Sequence, residues 1–241
     1  MPLILINDAY LTQIGDAIRE KDGSTTTYKP SEMADAIRGW YSTTDCLVMG
    51  TMSGVYYNDR ITEIGDYAFA YQHDLTEIEL PNLTKVGNYA FYSITNLESI
   101  KCDSLDVING FFVSGANMTK LQTVKLPSAI RLSSQAFKNC KASTIVLPQL
   151  LHLNGGQIFY DATNLTSLVL GSDTMVDGWA GTYSATTISS EFTNTPIAKG
   201  TGYIYVPAAL VDSYKAHTGW SVLANQFRAI EDYPEIQSLI E

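Results

Sequence analysis

From Leu75 to Phe91 the chain reads LTEIELPNLTKVGNYAF, with apolar side chains at Leu75, Ile78 and Leu80 and again at Leu83, Val86, Ala90 and Phe91. Polar residues fill the gaps, Pro81 closes the first half, and Gly87-Asn88 punctuates the second. Short apolar–polar runs bounded by such residues predict strands of a few residues joined by turns. The second half occurs earlier as Ile61 to Phe69, so that Ile61 and Leu83, Gly65 and Gly87, and Phe69 and Phe91 each lie 22 residues apart. The strand half starts again at Leu97, Leu121, Ala142 and Leu165, with steps from Leu75 of 22, 24, 21 and 23. The turn half returns at Val113, Phe137 and Phe159. A unit of this size has too little apolar surface to bury by itself, whereas stacked units share one continuous core. The pattern predicts a β-rich repeat solenoid of five or six coils ending near Leu170.

The two ends follow other rules. Leu11, Ile14 and Ile18 fall on one helical face, and after the turn-rich Asp22 to Thr27 a second helix starts near Pro30 with Met33, Ile37 and Trp40 on one side. A helical hairpin of about 35 residues is too small to hold itself folded without a disulfide, metal or partner. Those six side chains are therefore a candidate assembly surface, meeting the rest of the chain, further copies of it, or a larger assembly. Three domains are expected: a hairpin over 1–45 for anchoring or oligomerisation, the solenoid over 46–202, and a C-terminal strand and helical cap over 203–241. Val55 to Tyr57 are expected to open the stack and Tyr203 to Val206 to form its final strand. A helix from Pro207 turns Leu210, Val211 and Tyr214 inward, and Trp220, Leu223 and Phe227 continue the cover. Glu235 to Glu241 receive no element.

Charge narrows the partners. A formal net charge of −10 opposes nucleic acid and anionic surfaces, both of which need clustered Lys and Arg. No run of about 18 apolar residues occurs, so no membrane insertion is expected. Met1 to Ile6 is too short for a secretory core and meets Asn7-Asp8 at once, and no classical signal peptide is expected. Cys46, Cys102 and Cys140 make no disulfide framework. Cys102 takes the repeat slot of Leu80 and Leu126 and Cys140 aligns with Ala162, so both are expected to be buried as small apolar groups.

Catalytic patterns are sparse. His73, His152 and His217 are scattered, and no metal-ligand spacing, nucleophile elbow or phosphate loop occurs. Asp66, Asp106 and Asp161 sit in turns, where capping the turn is the simplest use of a carboxylate. No cofactor and no enzyme activity are expected. Tyrosine, at 15 copies, is the one enriched residue. Tyr67 and Tyr89 hold equivalent positions and are expected to stack, and Tyr92 and Tyr160, each following a coil's Phe, form a second candidate ladder. With Trp179 and Tyr183 from the Gly- and aromatic-rich loop of residues 171–202, these make up a candidate ligand surface.

Two resemblances sharpen the expectation. Leu75 to Pro81 (L-T-E-I-E-L-P) and Ile61 to Phe69 (I-T-E-I-G-D-Y-A-F) resemble the repeats of the BspA-like leucine-rich-repeat family. So does the ending Phe192 to Ile197, Gly202 to Pro207, Tyr214-Lys215 and Trp220, giving a likeness over roughly residues 53 to 233. Departures occur at Cys102-Asp103, where the strand-ending Leu-Pro is missing, and over 171–191, which is longer and more polar than a coil. The resemblance implies a leucine-rich-repeat solenoid used as a binding module on a cell or virion surface. Ile14 to Gly23 and Pro30 to Arg38 resemble short N-terminal modules on tail and baseplate proteins of phages that infect Gram-positive bacteria. That second likeness implies a non-catalytic virion structural protein made in the host cytoplasm. Its hairpin would attach to other virion proteins or to further copies in a homo-oligomer, and its repeats would meet a host surface glycan or protein. The alternatives are a bacterial cell-surface adhesin of the same family and, further off, a glycan-degrading tail enzyme.

Overall fold

The computed structural model describes residues 53–115, 117–178 and 185–240. The chain parts into two units at Asp45/Cys46. The hairpin positions Leu11, Ile14, Ile18, Met33, Ile37 and Trp40, and the loop aromatics Trp179 and Tyr183, lie outside the described residues.

Each coil contributes two short strands. The first coils give β1 (Ser53–Tyr57), β2 (Glu63–Ile64), β3 (Asp74–Glu79) and β4 (Lys85–Val86). The next give β5 (Ser99–Lys101), β6 (Val107–Ile108), β7 (Thr123–Lys125) and β8 (Arg131–Ser133). They are followed by β9 (Thr144–Val146), β10 (His152–Asn154), β11 (Ser167–Val169), β12 (Asp177–Gly178) and helix α1 (Ala185–Glu191). The chain closes through β13 (Tyr203–Val206), α2 (Val211–Ala216), β14 (Phe227–Ala229) and α3 (Pro234–Gln237). The odd-numbered strands and β14 form one eight-stranded parallel sheet in the order β1-β3-β5-β7-β9-β11-β13-β14. A second wall is built from β12-β10-β8-β6 and from the pair β2-β4.

Repeat spacing sets the register, and register sets the core. Ile78 pairs with Ile100, Ile145 lies between Val124 and Leu168, and Leu168 leads on to Ile204 and Phe227. Across from them Ile64 pairs with Val86, and Ile108 with Leu132 and then Leu153. All of these are buried. At roughly 1.5–3 kcal/mol for each such side chain removed from water, burial in continuous rows is what holds the coils together.

The third wall is a turn that repeats in every coil, carrying a column of rings from Phe69 through Phe91, Phe112, Phe137 and Phe159 to Phe192. Here the expected equivalence of Val113 with Phe91 holds for the backbone, each lying two residues after a left-handed residue, but not for the ring. Val113 is buried, but the ring belongs to Phe112. Phe91 N–H donates to the Phe112 carbonyl, and in the next coil Phe111 and Phe112 donate to Gln135 and Ala136. The hydrogen-bond ladder slips by one residue between this coil and the following one, where the interval is 24 instead of 22. The Ala-Phe pair of neighbouring coils is replaced by Phe-Val, and the Phe112 ring meets Phe91 and Phe137 edge-on, at 82° and 80°.

Both stretches flagged as departures still fit the stack. Cys102 fills its apolar slot with no exposure. In the longer stretch β12 pairs with β10, and α1 leads the chain to the Phe192 rung.

The C-terminal cap is more elaborate than a helix. Tyr214, Trp220, Leu223 and Phe227 are buried, but Phe227 belongs to the last strand, not to a helix. The Val176 N–H donates to the Tyr214 hydroxyl at 2.7 Å, and Trp220 Nε1 donates to the Val176 carbonyl at 3.1 Å. The backbone of Val176 is thereby held at both its N–H and its carbonyl. The unassigned tail also has a place: Ile236, Leu239 and Ile240 join Ile230 on the outer face of the large sheet, against Val146, Val169 and Tyr205.

Candidate binding surface

The turn wall has a backbone peculiarity that sequence spacing alone does not announce. In each of five coils two residues four apart adopt left-handed conformations. The first series is Tyr67, Tyr89, Phe111, Gln135 and Gln157, at φ of 60°, 57°, 56°, 64° and 61°. The second is Tyr71, Ser93, Gly115, Asn139 and Asp161. The geometry aims backbone N–H groups along the stack: Tyr67 donates to the Asn88 carbonyl, Tyr89 to Gly110 and Gln135 to Gly156. Coil after coil, turn N–H groups pair with carbonyls of the next coil, and that demand fixes φ whatever the side chain.

Side chains of the first series are thus lined up at coil pitch. The Tyr67 and Tyr89 rings stack with centroids 4.9 Å apart and planes within 1°, and Tyr89 stacks on Phe111 at 4.3 Å. Where the aromatics stop, Gln135 Nε2 donates to Gln157 Oε1 at 3.1 Å. Lys138 Nζ donates to the same oxygen, and its ammonium lies 5.7 Å from the Phe111 ring and 5.1 Å from that of Tyr160.

The expected Tyr67–Tyr89 stack is present. The expected Tyr92–Tyr160 ladder is not, because the coils between them place Ser114 and Lys138 in that slot. Tyr92 instead sits edge-on to Tyr71 and Tyr89, and Tyr160 lies beneath Lys138. Tyr71, Phe111, Lys138, Gln135 and Gln157 were not singled out from sequence. Phe111 was findable as Tyr89 plus 22 residues. Tyr71 required the four-residue spacing of left-handed positions, which no composition rule shows.

Tyr67 and Tyr71 are 52% and 59% exposed, among the most exposed large aromatics described. Partial burial, followed by the neighbouring phenols of Tyr67 and Tyr92, raises the Tyr89 phenol above its ordinary pKa. The rings of Tyr67 and Tyr92 lie 4.9 and 5.6 Å from that of Tyr89, on a flank open to solvent.

Other reactive groups are occupied structurally. Burial pushes the Cys140 thiol up to about 11 and the Cys102 thiol higher still, so neither supplies thiolate. Asp66 accepts the Asn88 N–H at 2.6 Å and Asp161 accepts from Asn194 Nδ2 at 2.6 Å, both as turn ties. His152 Nδ1 lies 2.6 Å from Asp177 Oδ1 in the second wall, an exposed pair across β10 and β12. Glu191 is buried, and its Oε2 accepts the Ile158 N–H at 2.7 Å. Its Oε1 has no partner among the described residues, and burial holds the carboxyl up to about 7. Among the described residues no group of three or more His, Cys, Asp or Glu is placed to hold a metal.

Parallel strands in coil register, rows of Leu and Ile across them and a laddered turn wall define a leucine-rich-repeat solenoid. A family model described as BspA type Leucine rich repeat region matches six copies of the repeat over residues 49–166 and 114–189, and the chain belongs to that family. Among solved structures, the T. pallidum leucine rich repeat protein TpLRR is similar at 20% identity and a TM-score of 0.41, over 51% of this chain and 61% of that one. The pneumococcal vaccine antigen PcpA is similar at 18% identity and a TM-score of 0.46, over 73% of this chain and 39% of that one. The chain thus spans less than two thirds of either. No curated protein matches the sequence.

Proposed function

We propose that this chain is a non-catalytic attachment protein of a phage or prophage particle. Residues 1–45 dock it to the tail or baseplate, and the solenoid holds a binding flank toward the host surface. One observation carries the binding half. The left-handed slot accepts Gln in two coils, so the backbone does not require an aromatic there, yet three successive coils carry Tyr, Tyr and Phe. Bulky residues at positive φ are uncommon, and such outliers gather at functional sites. Tyrosine edges on a rigid support resemble the amphipathic contact area used by binding proteins. Support for the attachment half is the sequence likeness of Ile14 to Gly23 and Pro30 to Arg38 to phage tail modules.

The test is particle incorporation. Residues 46–241 should fold, because the rows of core residues lie within them, and should be missing from purified particles that contain the full chain. Particles that incorporate both forms equally would place the anchor elsewhere, and particles that contain neither form would favour a bacterial surface adhesin.

A further inference from the structure

We propose that the aromatic flank binds a neutral, hydroxyl-rich polysaccharide laid along the solenoid axis. The assignment rests on this flank being the binding surface and goes on to name the class of ligand.

Stacking consumes the faces of Tyr89, between Tyr67 and Phe111. What these rungs turn outward is ring edge and phenol. Ring edges carry the positive end of the aromatic quadrupole, and the Tyr67, Tyr71, Tyr89 and Tyr92 hydroxyls have no hydrogen-bond partner among the described residues. The flank therefore offers donors and C–H edges, which match oxygen acceptors. Tyr67 stacks on a ring on one side only among the described residues, leaving a half-exposed face for the C–H side of a sugar ring.

Periodicity argues for a polymer. The rungs repeat one chemistry at 4.9 and 4.3 Å. A ligand made of identical units can fill successive rungs, and many weak contacts then add through effective concentration. An irregular protein surface has no reason to repeat. Charge argues for neutrality: the rings carry none, the chain is at −10, and the ammonium that touches the rings, Lys138, is already hydrogen-bonded to Gln157. Stacked rings on a fixed backbone also lose little freedom on binding.

The test is affinity electrophoresis and calorimetry of the full chain with dextran, yeast mannan and laminarin as neutral probes and polygalacturonate as an anionic one. Tyr67→Gln/Tyr89→Gln/Phe111→Gln uses the residue the chain itself places in that slot. Tyr71→Ser/Tyr92→Ser likewise borrows Ser93 and Ser114 from the next coil and serves if the triple variant melts early. At least one neutral polymer should retard the wild type and polygalacturonate should not. The variants should lose about tenfold or more in affinity, roughly one weak contact of 1.4 kcal/mol or more, with an unchanged melting transition. No retardation by any neutral probe, a preference for polygalacturonate, or wild-type affinity in both folded variants would each overturn the proposal. Binding to Gram-positive cells separates the two levels. Cell binding that survives in the variants removes the polysaccharide assignment to this flank and leaves attachment standing, whereas a wild type that binds no cells removes attachment itself.

Discussion

At the scale of the residue, the sharpest feature outside the flank is Glu191, a carboxyl with no exposure and an unpartnered oxygen. It is the last residue of α1, next to the Phe192 rung, and accepts the Ile158 N–H. Burial raises its pKa from 4.5 to about 7. A raised acid favours the protonated native state, so its contribution is full below about pH 4.5 and is lost as pH rises through 7. The difference amounts to about 3 kcal/mol between pH 4 and 9 at roughly 1.4 kcal/mol per unit. Glu191→Gln should flatten that dependence and raise the melting temperature at pH 8 more than at pH 5. Equal shifts at both pH values would mean that the carboxyl ionises without cost. Leu126, fully buried in the slot shared by Leu80 and Cys102, answers a different question. Leu126→Asp strands a charge among apolar rows and should cost roughly 4 kcal/mol or more. An undiminished thermal transition would show that the slot tolerates solvent.

At the scale of the element, the cap and the turn wall have separate tasks. Tyr214 and Trp220 grip the backbone of Val176 and close the apolar end of the stack. Removing the hydroxyl in Tyr214→Phe leaves a buried N–H without an acceptor, which costs about 1–3 kcal/mol. Hydrogen exchange should report it first as faster exchange in the last coil, with the coils around Phe91 unaffected. Uniformly faster exchange would mean that the coils unfold as one unit. The turn wall shows how much variation a coil absorbs. Phe112 with Val113 stands where the neighbouring coils carry Ala with Phe, and the column of rings continues by turning one ring edge-on.

At the scale of the whole molecule, the question is assembly. The six apolar side chains on the two expected helix faces of residues 1–45 motivate a measurement of solution mass for the full chain beside residues 46–241. An oligomer that becomes monomeric on truncation is the expected outcome for a multimeric appendage. Two monomers would mean that self-assembly is not the task of this segment, and a foreign partner would then have to be found.

Much of the architecture was legible in the chain because a solenoid is nearly one-dimensional. Each residue's neighbours in the stack lie one repeat away, so counting 22 from Leu75 or Ile61 finds a spatial contact directly. That is why the Tyr67–Tyr89 stack, the burial of Cys102 and Cys140 and the strands at Val55 and Tyr203 could be read before any coordinates. Counting failed where the interval drifted. The 24-residue coil moved the ring from Val113's slot to Phe112, and coil-by-coil substitution separated Tyr92 from Tyr160. What only the tertiary structure decided depends on contacts without a fixed interval. Tyr214 reaching Val176, the tail lying on Val169 and Tyr205, and Glu191 closing on Ile158 all join segments whose separation no repeat dictates. Left-handed backbone at Tyr67 and Tyr71 belongs to the same class. It follows from where the turn's N–H groups must point to meet the next coil, a demand made by the neighbour and invisible in the residue itself.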